Sequence, residues 1–322
     1  MISAIVPTYN GAPFLKKVLA DLRAQTLALG EILVVDNGSQ DDSVTVAQAA
    51  GARVLLQAEN SGFCRAVNRG IDEATGDWLV ILNNDVMLRP DWLMELFQGA
   101  QESGARFATG KILSARDRTR IDGSFDALCL GGCAWRCGSG KLDGAIWDQP
   151  RTIQFAPFTA ALFEKSLFAE VGMLDDSFGS YLEDIDFGLR CAIQGETGVY
   201  VPSAVAYHHG SSTFGRWHGE TVRNISRNQV LLVAKHYPAN WIAAVGWKVF
   251  IAQLLWGFVA IKNRAGTEWA RGKFDGVRVF RSRRRAGQEK VLDVLKVSEG
   301  EIWALQKASG FDSYWRTYFC LT

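Results

Sequence analysis

Neither common kind of phosphate-cradling glycine loop occurs in this sequence of 322 residues. No G-x-G-x-x-G follows the first apolar run, Ile2 to Val6, and no G-x-x-x-x-G-K-[ST] occurs anywhere, so dinucleotide-dependent dehydrogenases and P-loop ATPases both lose their fingerprint. Paired cysteines at zinc spacing are missing too. Cys129, Cys133 and Cys137 lie four apart, but the glycines at 131, 132, 138 and 140 argue for a loop, and C-x₃-C-x₃-C is not a structural zinc pattern. No secretory leader precedes Ile2 to Val6; the six cysteines are therefore expected in a reducing cytoplasm. No nucleic-acid reading module is recognisable. What is present is an ordinary globular composition, 48% hydrophobic with a net charge of +1, enough for one large domain and an appendage. The charge is uneven: Lys262 to Lys290 holds ten Lys or Arg against three Asp or Glu, a local +7 that leaves −6 for the rest.

The first half repeats one unit. Ile2 to Val6, Glu31 to Val35, Arg53 to Gln57 and Trp78 to Leu82 are short apolar runs, each ending in a polar turn. Helical patterns separate them, from Pro13 to Leu27, from after Ser39 to about Ala50, and through Ala66, Asn68 and Ile71. Three successive β-α units imply parallel strands with right-handed crossovers, whose polar ends gather at one edge of the sheet. Ligands bind at that edge in open α/β sheets. Asp36, closing the second run, suits hydrogen bonds to a ribose or base. Asn83, Asn84 and Asp85, closing the fourth, offer hard oxygen donors that suit Mg²⁺ or Mn²⁺ together with substrate phosphates; an Asx-rich turn is the plainer alternative. Arg65 and Arg69 are placed either to help neutralise a diphosphate or to be solvated helix positions.

Four motifs in order, Ile5-Val6-Pro7-Thr8-Tyr9-Asn10-Gly11, Val34-Val35-Asp36-Asn37-Gly38-Ser39, Asn60-Ser61-Gly62-Phe63 with Ala66, Asn68 and Gly70, and Leu82-Asn83-Asn84-Asp85-Val86, resemble glycosyltransferase family 2. That resemblance implies an α/β protein of the GT-A fold, a mixed, mostly parallel sheet flanked by helices, and an inverting enzyme that uses a nucleoside-diphosphate sugar. It implies that Thr8, Asp36 and Asn60 lie near the nucleoside. Pro7, Tyr9, Asn10, Gly62, Arg65, Asn68 and Asn84 complete the donor-site candidates. Asp85 corresponds to the last residue of the metal-binding Asp-x-Asp motif, with Asn83 standing where the first Asp would be.

A helix is expected from after Pro90 to Ser103, a strand from Arg106 to Lys111, and a long connection from Ser114 to Pro150, of the kind that forms lids or binding segments. Thr159 to Leu162 is expected to lead into a helix, Glu164 to Val171, closed by Gly172. The next cluster is acidic: Asp175, Asp176, Glu183, Asp184 and Asp186. On a helix from Tyr181 to Ala192, the last three crowd the first turn, where the macrodipole favours carboxylates. Crowding also raises the pKa of neighbouring acids, as a general base requires. Val171 to Asp175, Tyr181 to Phe187, Arg190 and Gly195 resemble the acceptor-side signature of rhamnosyltransferase-like members. By that resemblance Asp184 is the catalytic base, supported by Glu183 and Asp186. His208, before a Gly-Ser segment expected to be mobile, would complete the coordination of the divalent cation, and Arg227 with Asn228 would contact phosphate or cap a helix.

Trp241 to Ile261 is almost uninterruptedly apolar, with only Lys248 and Gln253 strongly polar, so it is expected to lie on a membrane surface, to span one, or to be buried in protein. The basic block after it, including Arg281, Arg283, Arg284 and Arg285, would be drawn to anionic lipid. These readings divide the chain into a nucleotide-sugar half (1–110), an acceptor and catalytic half (111–235) and a helical, basic C-terminal segment (236–322). They describe an inverting glycosyltransferase on the cytoplasmic face of the cell membrane. Its reaction would move a sugar, rhamnose among the candidates, to a saccharide or lipid-linked acceptor in cell-surface polysaccharide synthesis. A catalytically impaired scaffold or sugar-nucleotide-binding subunit is the alternative, and oligomeric state stays open.

Overall fold

A computed structural model describes residues 1–210, 217–285 and 287–322. The chain forms two compact units, Met1–Phe125 with Gly138–Thr213, and Asp126–Cys137 with Phe214–Thr322.

The first unit begins with the predicted alternation: β1 (Ile2–Thr8), α1 (Ala12–Arg23), β2 (Glu31–Asp36), α2 (Ser43–Ala49), β3 (Arg53–Leu56), α3 (Phe63–Glu73) and β4 (Trp78–Leu82). It continues through β5 (Val86–Leu88), α4 (Trp92–Ser103), β6 (Phe107–Ser114) and β7 (Ile121–Gly123). The segment expected to be a long connection with little periodicity contains strands, among them β8 (Asp126–Leu128) and β9 (Ala134–Arg136), which pair with each other in the second unit. The first unit then resumes with β10 (Arg151–Ile153), β11 (Ala160–Glu164), α5 (Ser166–Val171), α6 (Glu183–Gln194) and β12 (Gly198–His208). Residues 160–164 are a strand, not the approach to a helix, because they fill the gap between β4 and β6 and run antiparallel to both.

The sheet has the order β10-β12-β6-β11-β4-β1-β2-β3, with β5 on β12 and β7 on β6. Strands β3, β2, β1 and β4 are mutually parallel, as are β6 and β12. Parallel strands covered on both faces bury continuous apolar runs; Val6, Val34, Val80 and Leu82 accordingly join Leu15, Val18, Leu19, Trp92 and Leu96 of the covering helices in one core. Gly70 lets α3 lie close to the sheet, since a Cβ there would come within 2.4 Å of Ile5 Cγ2.

The second unit is helical beyond β8 and β9: α7 (Gly219–His236), α8 (Trp241–Lys262), α9 (Gly266–Arg283), α10 (Lys290–Ser309) and α11 (Ser313–Leu321). Helix α7, which the sequence assigned to the catalytic half, packs along α9 in this unit. Three polar groups of α8 turn inward. Lys248 Nζ lies 2.6 Å from Glu299 Oε1, Gln253 Nε2 donates to the Gly131 carbonyl at 3.0 Å, and Trp256 Nε1 donates to Ser226 Oγ at 3.0 Å. Its other side is bare: Trp247, Phe250, Leu254, Phe258 and Ile261 are 38–60% exposed. They fall within about 80° of arc on a helix turning 100° per residue. Two members of the basic block face inward instead of outward. Lys273 donates to the Ser226 carbonyl and to Gln229 and Gln253, and the Arg284 guanidinium caps α7 through the carbonyls of Val233, Ala234, Tyr237 and Pro238.

Candidate active site

At the carboxyl edge of the sheet the ends of β1, β2 and β4 meet. Thr8 stands opposite Asp36 in the ladder, and its Oγ1 accepts a hydrogen bond from Asn84 Nδ2 at 2.8 Å. Asn10, at φ 49°, donates its N–H to Ser39 Oγ and accepts from the Gln40 N–H at 2.8 Å, stitching the two turns together. Pro7 and Tyr9 are half-buried in the same turn. Asp36 is buried; Oδ2 accepts the Ser39 N–H at 3.1 Å, while Oδ1 has no donor. Such an orphaned acceptor costs about 1–3 kcal/mol, more if charged. Asn60 Oδ1 accepts from Asn37 Nδ2 at 2.9 Å and from the Gly62 N–H at 3.1 Å. Gly62 has φ 91°, and a Cβ there would sit 3.2 Å from the Gly179 carbonyl oxygen, so glycine lets these two loops touch.

The second cluster depends on a pairing that the sequence did not announce. Strand β5 runs antiparallel to the end of β12, with His208 opposite Val86, and the His209 N–H reaches the Asp85 carbonyl at 3.2 Å. This places His208 Nε2 3.2 Å from Asp85 Oδ1, both side chains buried. On the other side of the ring, Nδ1 lies 2.8 Å from Asp122 Oδ2. Burial would push the His208 pKa down, but hydrogen bonds to Asp122 and Asp85 and their charges push it up to about 9. A carboxylate oxygen and an imidazole nitrogen converging in a buried spot fit Mn²⁺ or Mg²⁺ bound through few protein ligands, the remaining positions left to phosphate oxygens and water. Among the described residues no group of three or more His, Cys, Asp or Glu forms a self-sufficient metal cage. Ser211 to Thr213 of the Gly-Ser segment lie outside the described residues.

The acidic cluster is built on strain and tight packing. Tyr181 and Leu182, immediately before α6, adopt φ 75° and 65°, a left-handed conformation costing non-glycine residues about 1–3 kcal/mol each. The approach to them is pinned to α3: the Cys64 N–H donates to the Gly179 carbonyl, and Asn68 exchanges hydrogen bonds with both the N–H and the carbonyl of Leu174. Asn68 Nδ2 also reaches Asp176, so its amide is committed to holding this segment. Arg65 Nε pairs with Asp176 at 3.1 Å, while Arg69 pairs with Glu73 on its own helix. Of the three acids opening α6, Glu183 and Asp186 are buried and Asp184 is half-buried. Asp186 is held at 3.0 Å by Arg190, which also donates to the carbonyls of Val171, Gly172 and Met173. Asp184 borders a crevice, too narrow for water, that Ala156 also lines; three residues on, the Thr159 carbonyl receives the Asn83 N–H at 2.9 Å. The segment 156–159 thus touches the end of β4 at Asn83 and shares a narrow gap with Asp184 at Ala156. Arg227 belongs to the second unit, where it donates to Asn228 Oδ1 at 2.9 Å.

Asp122 was not among the residues expected from sequence, and as one acid in a long irregular connection it carried no motif. Comparison with known proteins agrees with the geometry. An L-rhamnosyltransferase from Mycobacterium tuberculosis, named for N-acetylglucosaminyl-diphospho-decaprenol, is 26% identical over 275 residues, 77% of this chain and 88% of that protein. A Pyrobaculum calidifontis mannosyltransferase solved with GDP-Man and Mn²⁺ superposes with a TM-score of 0.55 at 15% identity, over 99% of this chain and 86% of that one. TarS from S. aureus gives 0.55 at 17% identity, over 98% of this chain and 54% of that one. Residues 3–172 match the family described as glycosyl transferase family 2, and with more than half of its length inside that match the chain belongs to this family.

Proposed function

We propose that the protein is a divalent-cation-dependent, inverting glycosyltransferase that moves a sugar from a nucleoside diphosphate to a hydroxyl of a saccharide or lipid-linked acceptor. The observation that carries this reading is the convergence of Asp85 Oδ1 and His208 Nε2 at 3.2 Å, from strand ends far apart in sequence, on the edge where Thr8 and Asp36 also lie. The orphaned Oδ1 of Asp36 supports nucleoside binding, since an N–H or ribose hydroxyl would supply the missing donor. Asp85 and His208 would hold the cation, whose contribution when bound is to offset negative charge on the departing diphosphate. Asn84, tied to Thr8, fixes the approach of the β4 turn to the same space.

Asp184 acts as the base. It takes the proton of the acceptor hydroxyl as that oxygen bonds to the anomeric carbon, and the diphosphate leaves from the opposite face. One displacement inverts the anomeric centre, as in inverting glycosidases with a sugar hydroxyl in place of water. Its partial exposure suits contact with an acceptor, whereas Glu183 and Asp186 are buried, and Asp186 is held by Arg190. Rhamnose as the transferred sugar and a polyprenyl-diphosphate-linked acceptor are supported by the name of the mycobacterial relative.

A lipid-linked acceptor would place the enzyme at a membrane. The exposed stripe of α8, whose polar residues are paired inside the unit, supports a helix that lies on the bilayer surface over one that spans it; Arg278, Arg281, Arg283 and Arg285, exposed on or just after α9, would meet anionic headgroups at roughly 1 kcal/mol each. The test is a screen of nucleotide sugars for released nucleoside diphosphate, with Mn²⁺ and with EDTA. Turnover that needs the ion and one donor class is the expected result; tight nucleotide binding without transfer to any acceptor would favour a non-catalytic subunit.

A further inference from the structure

The imidazole of His208 is gripped from both sides, and only one side belongs to the expected cation site. Asp122 approaches Nδ1 at 2.8 Å and has no place in the motifs that mark the family. Its position has a structural cause. Strand β7 pairs with β6 through Ile112 opposite Gly123 and Leu113 opposite Ile121, so Asp122 is the residue skipped in the ladder. A bulge of this kind re-aims the side chain of the extra residue. Because β12 runs beside β6, with Tyr207 opposite Leu113 and His208 opposite Ser114, the re-aimed carboxylate meets the His208 ring. The Ala115 N–H on the His208 carbonyl at 2.8 Å and the Ser114 N–H on the Arg120 carbonyl at 2.9 Å lock the strands in this register.

We propose that Asp122 is a positioning residue for the cation site: by accepting the Nδ1–H of His208 it fixes the tautomer and the ring plane that aim Nε2 at the ion beside Asp85. A carboxylate behind a metal-binding histidine also makes that histidine a stronger donor, and removing such a partner typically lowers metal affinity about 10–100-fold. The inference rests on the divalent-cation reading of Asp85 and His208. In this role Asp122 acts through the ring and needs no contact of its own with ion or substrate.

The experiment titrates Mn²⁺ into the full chain, following the EPR signal of the free ion, and records the ¹⁴N coupling of a histidine to the bound ion by pulsed EPR. Wild type is expected to bind Mn²⁺ with a ¹⁴N coupling. Asp122→Asn, which keeps an acceptor but loses the charge, should bind several-fold more weakly, and Asp122→Ala about 10–100-fold more weakly with the coupling altered or lost. A purely structural Asp122 would leave the coupling intact. Asp122 is a quarter exposed and the Asn variant is isosteric, so at least that variant is expected to fold, with a melting temperature lowered by the lost charge beside His208. Wild type and both variants binding alike, with the same coupling, would overturn the role of Asp122 and leave the cation reading standing. A wild type that binds no Mn²⁺, or binds it without ¹⁴N coupling, would overturn that reading and this inference with it.

Discussion

Asp36→Asn isolates the nucleoside contact from everything else in the site. The substitution keeps size and shape, and the side-chain oxygen can still accept the Ser39 N–H that Oδ2 holds at 3.1 Å. What changes is the other atom, where an acceptor without a donor becomes an N–H₂ group. If a nucleoside donor occupies that position, the variant loses a charge-assisted hydrogen bond worth about 1.5–3 kcal/mol and sets two donors against each other. At 1.4 kcal/mol per decade, that is a rise in Kd of about 10- to 150-fold. Calorimetric titration with UDP, GDP and dTDP in the presence of Mn²⁺ measures it without knowledge of the sugar. The melting temperature of the free protein should move little, because an unsatisfied buried acceptor is exchanged for an unsatisfied buried donor. An unchanged Kd for whichever nucleotide binds best to wild type would refute the placement of the nucleoside at Asp36.

Lys111, buried on β6 with Nζ between Asp143 and Asp148, should matter to folding: Lys111→Met is expected to cost about 1–3 kcal/mol in urea unfolding, less than a fully enclosed pair because the aspartates are partly solvated. Despite the cost of burial, its hydrogen bonds to both aspartates raise its pKa. That contribution is therefore complete below the ordinary lysine value and fades only as pH climbs past the raised one, so the gap between wild type and variant should be flat from pH 6 to 9. Arg106 binds Glu164, Glu170 and Glu196. The Glu164 pKa is lowered by Ser166 and then Arg106, and the Glu170 pKa by Arg106 first. Carboxylates held low stabilise the fold above their unfolded values near 4.3, so the melting-temperature advantage of wild type over Arg106→Gln should be full at pH 7 and shrink as pH falls through the lowered values; a gap constant down to pH 3 would contradict this. Replacing Trp247, Phe250 and Phe258 together by Ser should abolish flotation with anionic vesicles while leaving the melting temperature within a few degrees, and undiminished flotation would remove the membrane-surface reading of α8.

The four strands that open the chain were legible because buried parallel strands are continuous apolar runs, and their polar endings marked the edge where Thr8, Asp36 and Asn84 gather. The acidic cluster at 183, 184 and 186 stood out because acids massed at a helix start exceed what a cap requires, while the choice of Asp184 as the proposed base came from the family resemblance. Residues 160–164 were not, since Ala-Ala-Leu-Phe-Glu carries no β-branched residue and suits a helix by propensity; tertiary pairing with β4 and β6 decided against it. Strand β5 has only three residues, too few for a periodicity, and exists because β12 returns beside it. Asp122 depends on a bulge between β6 and β7, a relation between distant segments that no local pattern records. Asn68 and Arg284 show the converse: residue types that suit ligand contact are used to hold backbone carbonyls and N–H groups in place.

The central claim is that the Asp85–His208 pair and Asp184 serve one bound donor from two sides, and turnover of Asp184→Asn in parallel with donor binding tests it most directly. With the cation and the identified nucleotide sugar present, the variant should bind the donor within about threefold of wild type and lose transfer by about 10²–10⁴-fold, the usual contribution of a positioned base. Transfer at the wild-type rate by a folded Asp184→Asn protein would contradict the account.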